Sequence, residues 1–522
     1  MSQKRKILMI IMDQFRGDLV ASGGACVTGK EALSDHIKLP NIDALRQEAV
    51  TFAAHYSVVN PCGPARASIF TGMYAMNHRS VRNGTPLADG IPNVALEARK
   101  SGYDPLLYGY TDTSIDPRGR HENDPDLRTE EHVLPGVTEA LEMRYQESYP
   151  WRAYLKSKGY DIPEYARFYD PISPDPTRAA RADDPPFYKA EHSDTAFATD
   201  VLIHDLSVRC DQDWFALVTY LRPHPPLVAP APYNTMYKGA DLPLPPRMAR
   251  PEDEAAVHPF MEAALVAPPM DKTVRGEAQD VDPENDADVQ MLRALYLGLA
   301  TEVDTHIGRI VAFLKDTGQY DDTVILLMSD HGEVLGEHHM WGKQNPYEAA
   351  YHVPLIIRDP QYPEQFGNTI NAFTESIDVA PTILDLIGQR APASMDGASL
   401  RPFLVGETPE DWRDAVHLEL DFSEPDKPTV WQKATGTSVQ ASNLAVLRET
   451  RYKLVHFNGG LRPMLFDMLE DPHEMCNLAE DSAHMKTLLR MTQKLLSHRM
   501  KHGDGTLTSY KVTAQGAIEY RS

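Results

Sequence analysis

The sequence predicts an α/β protein: a large, mostly parallel central sheet sandwiched by helices, plus a smaller C-terminal domain with an antiparallel sheet. Three observations carry that expectation. Short apolar runs stop at polar residues, the pattern of buried parallel strands whose C-terminal ends carry chemistry. Helical periodicity lies between two of those runs, and such alternation covers a sheet on both faces. Beyond about residue 413 the runs are closely spaced and followed by turn signals, as in an antiparallel sheet.

In chain order, Ile7 to Met12 is the first run, and it ends at Asp13. Phe215 to Tyr220 leads to Arg222-Pro223-His224, and Val324 to Met328 leads to Asp330-His331. Between these two, Leu299, Val303, Ile307, Ile310, Val311 and Leu314 share one face of an amphipathic helix. Ile377 to Gly388 reads as another helix, stopped by its glycine. Residues 116–190 and 222–290 are rich in proline and acid with weak periodicity, as expected of excursions over an active-site edge. His417–Leu420, Ala445–Arg448 and Tyr452–Phe457 read as antiparallel strands, with Asn458-Gly459-Gly460 as a turn and a helix around 482–500 packing on them. The expected division is a catalytic domain over 1–412, a smaller α+β domain over 413–502, and a tail over 503–522 that reads either as an arm on a neighbouring subunit or as a frayed end.

At 522 residues and 42% apolar content, the chain has ample material for a core and is not of disordered composition. Its net charge of −24 argues against nucleic acid or an anionic membrane as the main partner, so any anion site must be made locally. Four cysteines (Cys26, Cys62, Cys210 and Cys476) do not make a disulfide framework in so long a chain. Lys4-Arg5-Lys6 before an apolar run imitates a signal peptide, but Asp13 ends the run too early. A cytoplasmic protein is expected.

Cys62 opens Cys62-Gly63-Pro64-Ala65-Arg66. Pro64 fits a first helical turn and Gly72 fits a helix stop, which places Cys62 at a helix N-terminus, where N–H groups and the dipole favour an anion. Arg66 lies one turn along on the same side. An isolated cysteine in such a place is ordinarily a small buried thiol.

The C-x-P-x-R spacing resembles the sulfatase signature of the alkaline phosphatase superfamily. The resemblance continues through Asp13-Gln14, Ser329-Asp330-His331-Gly332-Glu333, Trp341-Gly342-Lys343 and Val353-Pro354-Leu355-Ile356-Ile357-Arg358. It ends in Leu465 to Leu478, the family's C-terminal phrase. Sulfatases more often carry a second aspartate where this chain has Gln14. The Asp-Gln pair, Gly72 to Arg79 followed by Asn83, and Tyr108-Gly109-Tyr110-Thr111 look most like the phosphonate monoester hydrolases of that family, and choline sulfatases share the pair.

The resemblance implies that a formylglycine-generating enzyme oxidises Cys62 to formylglycine, whose hydrate supplies the nucleophile. It implies one divalent metal held by Asp13, Gln14, Asp330 and His331 together with residue 62. Hard oxygen donors suit Ca²⁺, Mg²⁺ or Mn²⁺, and the imidazole tilts the choice toward Mn²⁺. Arg66 is expected to hold the formylglycine oxygens and the carboxylates, Lys343 to neutralise non-bridging oxygens, and His224 to protonate or bind the leaving oxygen. Asn83 and Tyr110 are candidate substrate contacts; Thr111 and Thr113 compete for a third, and His78 and His121 are candidate pocket residues.

The expected activity is hydrolysis of phosphonate monoesters and phosphodiesters, promiscuous toward phosphate monoesters and sulfate esters, in a homotetramer such as related hydrolases suggest. An aryl- or choline-sulfatase shares nucleophile and metal and differs only in oxyanion and leaving-group preference. A two-zinc phosphatase would need a Ser or Thr nucleophile and further His and Asp ligands. A non-catalytic binding protein would keep Cys62 as a thiol.

Overall fold

The computed structural model describes all residues except 1–4, 21–32, 146, 240–241, 268–269, 276–280, 505–507, 509 and 520–522. Cys26 lies outside the described residues.

Eight strands form the main sheet, in the spatial order Thr369–Ile370, Val50–Phe52, Leu355–Arg358, Thr323–Ser329, Lys6–Met12, Phe215–Tyr220, Pro105–Gly109, Thr138–Glu142. Only Leu355–Arg358 runs antiparallel to its neighbours. Lys6–Met12 lies at the centre, parallel to Phe215–Tyr220 on one side and Thr323–Ser329 on the other. The register sets Met12 opposite both Tyr220 and Ser329. Three chains therefore leave the sheet at one edge, carrying Asp13, Asp330 and the turn that ends in His224.

Both faces of this sheet are covered, and one strand shows why. Leu8, Ile10 and Met12 point into a core with Leu292, Leu299, Val303, Ile307 and Ile310 of the long helix Asp286–Asp316. Ile7, Met9 and Ile11 point the other way, onto Ile69 and Phe70 of helix Cys62–Thr71 and Val379 and Ile383 of helix Val379–Leu386. Each such aliphatic side chain, once fully buried, contributes about 1.5–3 kcal/mol. A strand apolar at every position can satisfy two layers at once.

A second sheet orders Met464–Asp467, Tyr452–Phe457, Asn443–Glu449, Ala415–Asp421 and Val59–Asn60. The first four are antiparallel and consecutive; three of them are those the sequence predicts, and Met464–Asp467 is an addition. Helix Met485–Lys501 covers one face through Met491 and Leu495. The fifth strand comes from far upstream: Val59–Asn60 pairs in parallel with Glu419 and Leu420, two residues before Cys62. Within the tail, Tyr510–Thr513 and Gly516–Glu519 form a two-stranded hairpin. Among the described residues, no helix is long and apolar enough to cross a membrane.

Candidate active site

Helix Cys62–Thr71 begins where Pro61 holds an extended conformation. Pro64 has no N–H to leave unpaired in the first turn. The Gly63 N–H is taken by Asn83 Oδ1 at 2.9 Å. At the other end Gly72 turns left-handed with φ 65° and donates to the Ser68 carbonyl at 2.9 Å, which stops the helix. Ile69 and Phe70 anchor the helix on the sheet. Cys62 is thereby held at the edge where the strands deliver their acids.

Asp13, Cys62, Asp330 and His331 are all buried and place one ligand atom each within 4.8 Å of one another. His331 Nε2 lies 3.1 Å from Cys62 Sγ, 3.7 Å from Asp13 Oδ1 and 3.8 Å from Asp330 Oδ1. The His331 Nδ1 is 3.1 Å from the Gly332 carbonyl and donates to it, which turns the Nε2 lone pair toward the cluster. Arg66 lies beneath the acids: Nε donates to Asp330 Oδ2 at 2.9 Å, Nη2 to Asp13 Oδ2 at 3.1 Å, and Nη1 to the Tyr110 carbonyl at 3.0 Å. The Tyr110 hydroxyl donates to Asp13 Oδ2 at 2.6 Å, and its ring lies 4.1 Å under the guanidinium.

Gln14 stands beside Asp13 with φ 65°, and its N–H donates to Asp330 Oδ1 at 3.1 Å. Its side-chain oxygen accepts from Lys343 Nζ at 2.6 Å, and its nitrogen donates to Glu333 Oε2. Lys343 Nζ also lies 3.0 Å from His224 Nε2. Arg222 positions the His224 turn from below, donating through Nη1 to the His224 carbonyl at 3.1 Å and the Pro226 carbonyl at 2.8 Å.

The electrostatics suit a cation. Burial and the neighbouring charge of Asp330 hold the Asp13 carboxyl above its ordinary range. Burial works the same way on Asp330, but His331, Arg66 and the Gln14 N–H outweigh it and keep that carboxyl low. Two carboxylates crowded in this way are relieved by a metal. Burial brings His331 down to about 4, so its imidazole is neutral and ready to ligate. Burial and then Asp13 push the Cys62 thiol well up, so the unmodified side chain is a neutral thiol there and not a thiolate. Hard oxygens with one neutral imidazole fit Mn²⁺, Ca²⁺ or Mg²⁺.

Above the cluster opens a cleft of about 470 Å³ lined by Asp13, Gln14, Cys62, Asn83, Tyr110, His224 and Lys343. The proline- and acid-rich excursions supply its edge through Glu130, Glu131 and Tyr145 and through Lys272 and Arg275. His78 is not a lining residue: Ser68 Oγ at 2.9 Å and the Ser80 N–H at 3.1 Å occupy its two nitrogens. Exposed His121 receives the Asn123 N–H at 3.1 Å and does not line the cleft either. Thr111 accepts the Leu134 N–H at 2.8 Å, and Thr113 points back at Thr111, so both support the wall behind the cleft.

Several residues in and around the cleft escape sequence reasoning. Asp112 lines it in a left-handed conformation, φ 48°, with Oδ2 3.9 Å from Arg66 Nε. Burial holds its carboxyl well above the ordinary range. Its place between Thr111 and Thr113 is the one signal the sequence offers. Trp431 and Phe422 reach the cleft from the C-terminal sheet region, and no local pattern marks them. Glu333 sits in a quoted motif without an assigned role.

The comparisons with known proteins agree with this geometry. Residues 5–389 match the Sulfatase family, and residues 336–501 match a region described as N-sulphoglucosamine sulphohydrolase, C-terminal. The chain is 38% identical over 517 residues to the multifunctional alkaline phosphatase superfamily protein PehA of Trinickia caryophylli, covering 98% of each. It resembles the structure of the phosphonate monoester hydrolase SpPMH from Silicibacter pomeroyi, with TM-score 0.94 and 51% identity over 99% of this chain and 100% of that one. It also resembles the phosphonate monoester hydrolase of Agrobacterium radiobacter, with TM-score 0.91 and 40% identity over 99% of this chain and 100% of that one. With the sheet, the cleft and the acidic cluster at Cys62, these matches establish that the chain belongs to the sulfatase family of the alkaline phosphatase superfamily, as a hydrolase similar to the phosphonate monoester hydrolases.

Proposed function

We propose that this enzyme hydrolyses phosphonate monoesters and phosphodiesters, and is promiscuous toward phosphate monoesters and sulfate esters. The observation that carries the reading is the meeting of Cys62 with Asp13, Asp330 and His331 inside 4.8 Å, under the cleft that Lys343 and His224 line. Cys62 is the precursor of formylglycine, installed by a formylglycine-generating enzyme. One hydroxyl of the hydrated aldehyde attacks phosphorus in line, and the ester alcohol departs. The second hydroxyl then loses its proton, the C–O bond to the side chain breaks, the acid leaves and the aldehyde returns. Release needs no second attack on phosphorus, which is why several ester classes share one site.

The chain's own groups divide the work. Asp13, Gln14, Asp330 and His331, with the side chain at 62, hold the divalent ion. When bound, that ion supplies Lewis-acid charge to the nucleophile and substrate. Arg66 keeps Asp13 and Asp330 aligned. Lys343 meets the non-bridging oxygens as they gain charge, and His224 handles the leaving-group proton beside it. The Asn83 oxygen is bonded to Gly63, so its amide nitrogen is the group left for a substrate oxygen. Tyr110 steadies Asp13 and closes the wall.

Gln14 in place of an aspartate leaves the metal site less negative and more welcoming to an anion. With the likeness to phosphonate monoester hydrolases, this sets phosphonate and phosphodiester substrates ahead of sulfates. The test is kcat/KM on one metal-replete preparation for matched aryl phosphonate monoester, phosphodiester, phosphate monoester and sulfate. A lead for sulfate makes the enzyme a sulfatase. Cys62→Ala should abolish turnover in a folded protein, and the mass of the Cys62 peptide should be that of the aldehyde.

Assembly as a homotetramer is part of the same reading. Exposed apolar side chains on the hairpin, Val512 above all at 84%, support an arm that docks on a neighbour. Deleting 503–522 and weighing the protein in solution tests it; an unchanged mass removes the arm's role.

A further inference from the structure

Gln14 presents an amide where a carboxylate would need no orienting, and an amide can face the site with either end. Two neighbours remove that ambiguity. Lys343 Nζ, which can only donate, lies 2.6 Å from the Gln14 side-chain oxygen. Glu333 Oε2 accepts from the Gln14 side-chain nitrogen. The other Glu333 oxygen is committed to the Leu335 N–H at 3.0 Å and the Gly342 N–H at 2.6 Å, closing the loop that ends at Lys343. Every partner of this carboxylate is an N–H, and Glu333 is 2% exposed. The Gln14 backbone is fixed as well, its carbonyl accepting from the Tyr296 hydroxyl at 2.6 Å and its N–H donating to Asp330.

We propose that Glu333 is the positioning residue of the metal centre: it holds the nitrogen of Gln14, so that the Gln14 oxygen faces the metal and Lys343. A carbonyl oxygen has two lone pairs, so the metal and Lys343 can share it. Through the Gly342 N–H the same carboxylate sets the start of Lys343, coupling ligand and oxyanion-binding cation in one contact. The inference rests on the reading of Gln14 as a metal ligand.

The test is a two-residue exchange. Glu333→Gln keeps an oxygen for Leu335 and Gly342 but offers an N–H to Gln14, which turns the Gln14 amide the wrong way. Mn²⁺ affinity of the full chain, measured by calorimetry on metal-stripped protein, should fall about 10- to 100-fold. Gln14→Glu alone sets two acceptor-only carboxylates face to face and should lower the melting temperature of the metal-free protein. The double exchange, Gln14→Glu with Glu333→Gln, restores a donor between two acceptors. It should recover metal affinity relative to Glu333→Gln and metal-free melting relative to Gln14→Glu. A filler role for Glu333 predicts additive losses instead. Unchanged Mn²⁺ affinity in Glu333→Gln, or additive losses, overturns the proposal. Gln14→Ala separates the two readings: full Mn²⁺ affinity there sinks both, whereas weak binding there beside native affinity in Glu333→Gln sinks only the positioning role.

Discussion

Lys343 Nζ stands 3.0 Å from His224 Nε2, while the Nδ1 of the same imidazole lies 2.5 Å from the Pro225 carbonyl. The carbonyl can only accept, so Nδ1 carries the proton and Nε2 accepts from the ammonium. Burial and then the charge of Lys343 hold His224 well below the usual imidazole range. Burial opposes the charge on Lys343, but the neighbouring acids Asp13 and Asp330 outweigh it and raise the amine. The resting pair is therefore an ammonium and a neutral imidazole. An alcohol leaving between them draws its proton from a pair poised to supply one.

That arrangement predicts a split by leaving group. His224→Ala should cost about 10²–10⁴-fold in kcat/KM for alkyl esters, and at most about tenfold for nitrophenyl esters, whose oxygen needs no proton. Lys343→Ala should cost both classes, and alkyl esters more, because it removes the charge facing the non-bridging oxygens and also the proton that the neutral His224 must pass on. Parallel losses across leaving groups in His224→Ala would remove its role in proton transfer.

Arg66 is predicted to matter more to the empty site than to the loaded one. Its three donors neutralise Asp13 and Asp330 and tie them to the Tyr110 carbonyl. Arg66→Ala leaves buried carboxylates unpaired, a loss of about 3–5 kcal/mol. A bound divalent ion supplies the missing charge. Melting with and without saturating Mn²⁺ should show the larger drop in the stripped protein. Lysine has no planar fork to span both acids and should rescue poorly. Equal drops in the two states would show that Arg66 does not share its charge-balancing task with the metal.

Much of this site is legible before any coordinates, and the reason is local. Pro64, Gly72 and the Arg66 spacing describe a helix end completely, and runs such as Ile7–Met12 announce a strand with chemistry at its tip. What escapes is tertiary. Gln14 and Glu333 meet across 319 positions, and neither the pairing nor its polarity leaves a periodic trace. Val59–Asn60 is only two residues long, too short for any pattern, yet it ties the nucleophile helix to the C-terminal sheet. His78 sits in the Gly72–Arg79 phrase that resembles the phosphonate monoester hydrolases, and only its Ser68 and Ser80 partners reveal a packing role.

His78 also makes a pH prediction. Burial and then Arg79 bring it down to about 3. Its Nδ1 accepts from the Ser80 N–H, so charging the ring must break that bond. The folded value lies below the unfolded one near 6.5, so the unfolded chain binds the extra proton. The stabilisation is whole above about pH 6.5 and is lost as pH falls toward 3, by up to about 1.4 kcal/mol per pH unit. Urea midpoints at pH 7 and pH 5 should fall less steeply in His78→Asn, by close to one proton. An unchanged slope would mean that His78 charges freely in the folded protein.

The seam between the sheets gives a prediction in which stability and catalysis come apart. Leu420 is 1% exposed, sits in the C-terminal core and lies opposite Asn60 in the register. Asn60 Nδ2 donates to the Lys343 carbonyl at 3.0 Å, and its chain continues directly into Cys62. Val455 lies in the same core, two strands further from Val59–Asn60. Leu420→Ala should lose about 2–5 kcal/mol, and Val455→Ala should be destabilised by the same cavity mechanism. Only the first lets the strand beneath nucleophile and lysine relax, and misplacement on the scale of an ångström costs up to about 10²-fold in rate. Well below both melting temperatures, kcat/KM should therefore drop about tenfold or more in Leu420→Ala and stay near native in Val455→Ala. Equal activity in the two variants would mean that the C-terminal sheet stabilises the enzyme without aligning its active site.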